Sequence, residues 1–103
     1  MVNHVEKKFE VACLGGLVAD VLTKPVDSLP EPGTLQLVER TELHLGGCAA
    51  NAATDLAKLG VKTAIVGKIG DDNFGRFIIE KLNETTIDSS CLSISTTCLQ
   101  PPL

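Results

Sequence analysis

The sequence predicts an α/β protein built on a parallel sheet, because its hydrophobic period changes along the chain and glycines punctuate the changes. "FEVACLGG" from Phe9 to Gly16 is a short apolar run closed by a glycine pair. From Cys48 the apolar positions follow three-and-four spacing, at Ala49, Ala52, Ala53, Leu56 and Ala57. A second apolar run at Thr63 to Val66 precedes a second amphipathic stretch, "DDNFGRFIIEKLNE". Strand, helix, strand and helix in that order are the marks of parallel pairing with helical crossovers.

Taken in order, Phe9 to Leu14 reads as a buried strand ending at a tight turn over Gly15 and Gly16. "LVADVLTKP" continues extended until Pro25, and "VDSLPEPG" is a loop by its proline and glycine content. "TLQLVERTELHL" puts Leu35, Leu37, Leu43 and Leu45 on one side and Gln36, Arg40, Glu42 and His44 on the other. That alternation predicts a half-exposed antiparallel strand inserted between the first strand and the first helix. The helix beginning at Cys48 is predicted to end at Gly60, a natural C-terminal cap. "VKTAIVGKIG" should be a strand buried on both faces. Asp71 and Asp72 precede the next helix, whose apolar stripe is Phe74, Phe77, Ile78 and Leu82, and they read as caps sooner than as metal ligands.

Composition narrows the function. The chain has 103 residues, 44% hydrophobic and 21% charged, with a formal net charge of −4, which is ordinary for one soluble domain. Scattered acidic residues and the absence of a Lys/Arg block argue against nucleic acid or anionic lipid as partner. No apolar stretch approaches the roughly 18 residues that suggest a membrane helix. "MVNHVEKKFEV" lacks the apolar core of a secretory signal, so a cytoplasmic location is expected. Cys13, Cys48, Cys91 and Cys98 form no CxxC pair and no zinc spacing. Free thiols are the expectation, with a Cys91–Cys98 bridge open only in an oxidising compartment. No nucleotide loop is present: "VGKIGDD" lacks a Ser or Thr after its lysine, and "LGGLVAD" fails GxGxxG.

The most informative stretch is "HLGGCAANAATDLAKLG", His44 to Gly60. A helix starting after two glycines presents free backbone N–H groups and partial positive charge. Asn51, in its first turn, offers an amide that both donates and accepts, as a hydroxyl-bearing ligand requires. Asn51 also lies on one stripe with Cys48, Asp55 and Lys58, so by periodicity alone it reads first as the start of a solvent face.

"GGCAANAATDLAKLG" followed by "VGKIGDDNFG" resembles the amino-terminal signature of the ribokinase-like (PfkB-type) carbohydrate kinases. Upstream, "LGGLVAD" is similar to the family's first strand and sugar-contacting turn, and "LPEPGTLQLVERTELHLGG" to its lid strand and glycine pair. The resemblance runs from about Phe9 to Leu92. It implies a parallel sheet flanked by helices with a small antiparallel β lid, the lid strands falling at about 17–24, 35–45 and 91–98. The whole of residues 1–103 is then the amino-terminal part of one kinase domain. It further implies cytoplasmic phosphoryl transfer from ATP, with magnesium, to a sugar or nucleoside hydroxyl, and pairing of lid strands across a homodimer. By the same resemblance Asp20 and Asn51 hydrogen-bond substrate hydroxyls, with the backbone of Gly46 and Gly47 beside the sugar. Ribokinases proper often carry an asparagine and a lysine where this chain has Val18 and Cys48, which leaves ribose, ketoses, hexoses, phosphorylated sugars and nucleosides all open.

Family members are several-fold longer and carry a downstream GAGD-type motif that supplies the catalytic base and phosphate-holding N–H groups. No such motif occurs in this chain, so catalytic residues and metal ligands are expected outside it and the fragment is expected to be inactive alone. "CLSISTTCLQPPL" begins like an alternating strand and stops at two prolines, as in a truncated sheet with an exposed edge. A noncatalytic ligand-binding or dimerising module is the alternative reading.

Overall fold

The computed structural model describes residues 8–24 and 27–96. Two sheets and two helices follow in the order β1 (Val11–Leu14), β2 (Val18–Lys24), β3 (Arg40–Gly46), α1 (Cys48–Lys58), β4 (Thr63–Gly70), α2 (Asn73–Asn83) and β5 (Asp88–Ser95). Strands β1, β4 and β5 form a parallel sheet with β4 in the middle, and β2 pairs with β3 as a separate antiparallel sheet. The α/β prediction holds, including the antiparallel insertion between β1 and α1.

Central position explains why β4 reads as an unbroken apolar run. Its residues Thr63, Ala64 and Ile65 are all buried although they alternate between faces. Ile65 and Ile69 join Ala49, Ala50 and Ala53 of α1 and Ile78 and Leu82 of α2 in one core, with Leu17 added from the turn before β2 and Ala19 from β2. Small alanines let α1 come close to the sheet, while α2 fills the remaining volume with branched side chains. The opposite face of β1 carries Ala12 and Leu14, and Leu14 remains 78% exposed.

Helix ends follow their local chemistry. Asp72 accepts a 2.8 Å hydrogen bond from the Gly75 N–H, so it caps α2 as expected. Asp71 instead lies 3.8 Å from the Arg76 guanidinium. At the end of α1, Gly60 donates to the Ala57 carbonyl and Val61 to the Leu56 carbonyl. Those two bonds, with Gly60 at φ 86°, make a Schellman stop.

Four expectations need correction. Residues 91–95 do not belong to a lid strand: they lie in β5 and pair parallel with β4, from Val66 opposite Cys91 to Gly70 opposite Ser95. The serine-rich alternation resembled a half-exposed lid strand because β5 is an edge strand of the parallel sheet, its outer side uncovered. Residues 97–98 of that expected strand lie outside the described residues. The lid strand expected over 35–45 begins only at Arg40, with Leu35 100% and Leu37 97% exposed; alternation by itself supplies no partner for those leucines. Phe74 is 44% exposed, leaving Gly75, Ile78 and Leu82 as the buried positions of α2. Ala52 is exposed, and Ala50 takes the buried place expected for it.

Candidate functional site

The region singled out by the sequence lies where the antiparallel hairpin meets the start of α1. Register places Val18 opposite Gly46 and Asp20 opposite His44. Paired residues share a face, so Val18, Asp20, Leu22 and Lys24 lie with Gly46, His44, Glu42 and Arg40. Ala19 and Leu45 point to the other face, where they join the packing of the core.

On the first face, the half-buried Asp20 carboxylate sits directly over the backbone of Gly46. A Cβ on Gly46 would run into Asp20 Oδ2 and lie 3.4 Å from Cγ. Glycine is therefore what gives that carboxylate its place. Gly47 has a different constraint: its φ of 96° and ψ of 149° belong to a region essentially reserved for glycine. A Cβ there would also collide with the Gly16 carbonyl and stand 3.1 Å from Leu17 Cα. The Ala49 N–H donates to that same Gly16 carbonyl at 3.2 Å, which ties the β1–β2 turn to the first turn of α1. Gly47 carries no side-chain cap, so it contributes only backbone to that turn.

Asp20, Gly46 and Gly47 are thus brought together, with no protein hydrogen bond or ion pair to the Asp20 carboxylate among the described residues. Asn51 is placed differently. Its N–H closes a helical bond to the Gly47 carbonyl at 2.9 Å, and the residue is exposed. It lines an open groove of about 500 Å³ between α1 and α2, together with Leu45, Asp55, Lys58, Lys81 and Glu84. Cys48 is exposed at the first position of α1, and Cys13, Cys48 and Cys91 are all free thiols. Cys98 lies outside the described residues. Among the described residues there is no cluster of three His, Cys, Asp or Glu side chains fit for a metal, and no helix long and apolar enough to cross a membrane.

Sequence reasoning missed a charged cluster on the Asp20 face. Glu42 accepts from His44 Nε2 at 2.8 Å and lies 3.1 Å from Arg40 Nε and 3.9 Å from Lys24 Nζ. The His44 hydrogen bond, helped by the nearby Lys24 charge, holds the Glu42 carboxyl below the usual carboxylate range. The alternation of Arg40, Glu42 and His44 was visible in the sequence. Their proximity to Asp20 depends on a register set across the loop between β2 and β3, which local sequence does not specify.

A three-stranded parallel sheet, two helices and a small antiparallel sheet joined to it through a glycine pair define a ribokinase-like α/β protein. The chain belongs to the pfkB family of carbohydrate kinases, whose model matches residues 8–101. It is 35% identical over 79 residues to an uncharacterized sugar kinase of Pyrococcus horikoshii, covering 77% of this chain and 24% of that protein. It is 33% identical over 85 residues to a 5-dehydro-2-deoxygluconokinase of Clostridium botulinum, covering 82% and 24% respectively. The structure of Arabidopsis thaliana ribokinase complexed with ribose and ATP superimposes with a TM-score of 0.75 at 26% identity, over 87% of this chain and 30% of that one. The chain therefore spans about a quarter of the length of the curated relatives it matches.

Proposed function

We propose that this chain is the sugar-holding and lid portion of an ATP-dependent carbohydrate kinase, with Asp20, Gly46 and Gly47 at the acceptor and Asn51, one turn into α1, assigned to it through the family resemblance alone. The observation that carries the reading is the Asp20 carboxylate seated over side-chain-free Gly46, next to the glycine entrance of α1. A carboxylate is an acceptor-only group, so hydroxyls are its natural partners once protein donors are absent. Gly46 and Gly47 let a polyol ring approach the backbone, and the positive end of the α1 dipole favours electron-rich oxygens there. Fixing one hydroxyl in this way orients the acceptor for in-line attack on a phosphorus.

ATP with Mg²⁺ supplies the transferable phosphoryl group when bound, and its binding residues, like the catalytic base, are assigned to sequence beyond this chain. The acceptor is a sugar or nucleoside; the relatives' names favour sugars and sugar acids. The β2–β3 hairpin is the lid in this reading. The face that packs on the core at Ala19 and Leu45 continues toward the hairpin tip as the Val21–Leu43 pair, 50% and 40% exposed, which supports pairing of two copies across that sheet. A noncatalytic dimerising module would use the same surface.

Titration of D-ribose, D-fructose and D-gluconate into the chain and its Asp20→Asn variant tests the reading. Loss of a hydrogen bond to a charged group corresponds to roughly 1.5–3 kcal/mol, so the tightest sugar should bind about 10- to 150-fold more weakly to the variant. Equal affinity for the two chains would overturn the role given to Asp20. Sugar-dependent ADP formation by the purified 103-residue chain would overturn the assignment of catalysis to sequence outside it.

A further inference from the structure

The antiparallel register sets two opposite demands on one carboxylate. Asp20 stands directly across from His44, and side chains in such a pair have Cβ atoms only about 4.5–5.5 Å apart. An imidazole at that distance is a ready hydrogen-bond donor, and when protonated a ready cation, for the carboxylate opposite. Yet the His44 ring turns along its own strand and bonds to Glu42 at 2.8 Å. Asp20 is left facing Gly46 with no protein partner among the described residues.

Glu42 is in turn held in place from its far side, by Arg40 Nε at 3.1 Å and Lys24 Nζ at 3.9 Å. Lys24 and Arg40 are themselves a cross-strand pair at the tip of the hairpin. The titratable and charged groups on the face of His44 are therefore Asp20 on one side and Glu42, Arg40 and Lys24 on the other. The core lies against the other face of the hairpin, where Ala19 and Leu45 belong to its packing.

We propose that Glu42 is a positioning residue that draws His44 away from Asp20 and so keeps the Asp20 carboxylate open to a sugar hydroxyl. The inference rests on the reading of Asp20 as a sugar ligand, but its structural half stands without it. When Glu42 is removed, the imidazole swings to its cross-strand neighbour and the new contact competes with the substrate. Removing His44 as well abolishes the competitor, so the second substitution repairs the first. A purely structural role for Glu42 gives no such repair.

The test uses the 103-residue chain labelled with ¹³C, with Glu42→Ala, Glu42→Ala/His44→Ala and Asp20→Asn as variants. The first readout needs no ligand: the Asp20 carboxyl resonance and the His44 ring signals are followed together as the pH is varied. In the parent chain that resonance should ignore the His44 titration; in Glu42→Ala it should follow it, and in the double variant the response should vanish. An Asp20 signal that follows His44 in the parent, or fails to follow it in Glu42→Ala, overturns the proposal.

The second readout is the affinity for D-fructose and D-ribose from amide shifts at Gly46, Gly47 and Asn51. A new exposed ion pair competes with about 0.2–1 kcal/mol, so Glu42→Ala should bind up to about fivefold more weakly and the double variant should return to the parent value. A double variant as weak as Glu42→Ala, with both still folded by their amide spectra, overturns it. If Asp20→Asn leaves the sugar response unchanged, or the parent shows none, the sugar-ligand reading of Asp20 fails while the carboxyl titration still decides the role of Glu42.

Discussion

Replacing Gly47 by alanine separates two physical costs that the structure assigns to one position. The first is torsional. At φ 96° and ψ 149° the backbone lies in a region that side chains strongly disfavour, and such strain costs of the order of 1–3 kcal/mol. The second is steric, because the new methyl would overlap the Gly16 carbonyl and crowd Leu17 Cα at 3.1 Å. Neither neighbour is the free end of a flexible side chain; both belong to the backbone of the β1–β2 turn. Relief requires moving that turn and straining the 3.2 Å bond from Ala49 N–H to Gly16 O. Overpacking of this kind adds about 1–3 kcal/mol, giving a total of roughly 2–6 kcal/mol.

Gly60→Ala supplies the control. Its φ is also positive, at 86°, but nothing lies within 4 Å of the added methyl. Only the left-handed cost of about 1–2 kcal/mol applies there. Urea unfolding followed by far-ultraviolet circular dichroism measures both variants, and the linear dependence on denaturant gives the difference. Gly47→Ala should be less stable than Gly60→Ala by at least about 1 kcal/mol. If the two lose the same stability, the packing of the turn against α1 contributes nothing and the steric argument is refuted.

Three further perturbations follow from the same structure. Asp72→Ala removes the acceptor for the Gly75 N–H and should cost about 0.5–2 kcal/mol in urea unfolding, whereas Asp72→Asn should recover most of it. Leu82→Ala empties a fully buried position in the core and should cost about 2–5 kcal/mol, with a conserved denaturant slope if the fold is retained. Asp88 accepts from the Ser90 hydroxyl at 2.6 Å and the Ser90 N–H at 2.9 Å, which hold its carboxyl below the usual carboxylate range. A folded-state pKa below the unfolded value, near 3.9, stabilises the fold above that value and is lost as pH falls through the folded pKa. The stability difference between the parent and Ser90→Ala should therefore be constant above about pH 5 and shrink below about pH 4; a difference that grows on acidification would refute the assignment.

Legibility in the sequence followed the range of the interaction that decided each feature. The Schellman stop at Gly60 and the cap at Asp72 are made by residues within five positions of one another, and both were readable from residue type and spacing. Burial of β4 on both faces was readable as well, since Thr63 to Ile65 carry no polar alternation to expose. Alternation failed where it required knowledge of the partner strand. Leu35 and Leu37 alternate as well as Leu43 and Leu45 do, but only the latter pair has β2 beside it. Cys91 to Ser95 alternate too, yet their partner is the parallel strand β4 rather than the hairpin.

The candidate site divides in the same way. Gly46 and Gly47 stood out by their place at a helix entrance, and the structure supplies a physical reason for each: a carboxylate over one and a carbonyl against the other. Asp20 had no local signal, since a lone aspartate near a strand end is ordinary, and it was singled out only through the family resemblance. Its relation to His44 and Glu42 was beyond reach, because a long connection between β2 and β3 leaves their register to tertiary packing. Shifting that register by one residue would turn Asp20 toward the core and Ala19 toward Gly46. Burial of Ala19 at 3% exposure, with Leu45 opposite it, is what prevents the shift. The apolar side of the hairpin thereby determines which carboxylate its polar side presents, so enlarging or charging Ala19 should disturb the site without touching any residue in it.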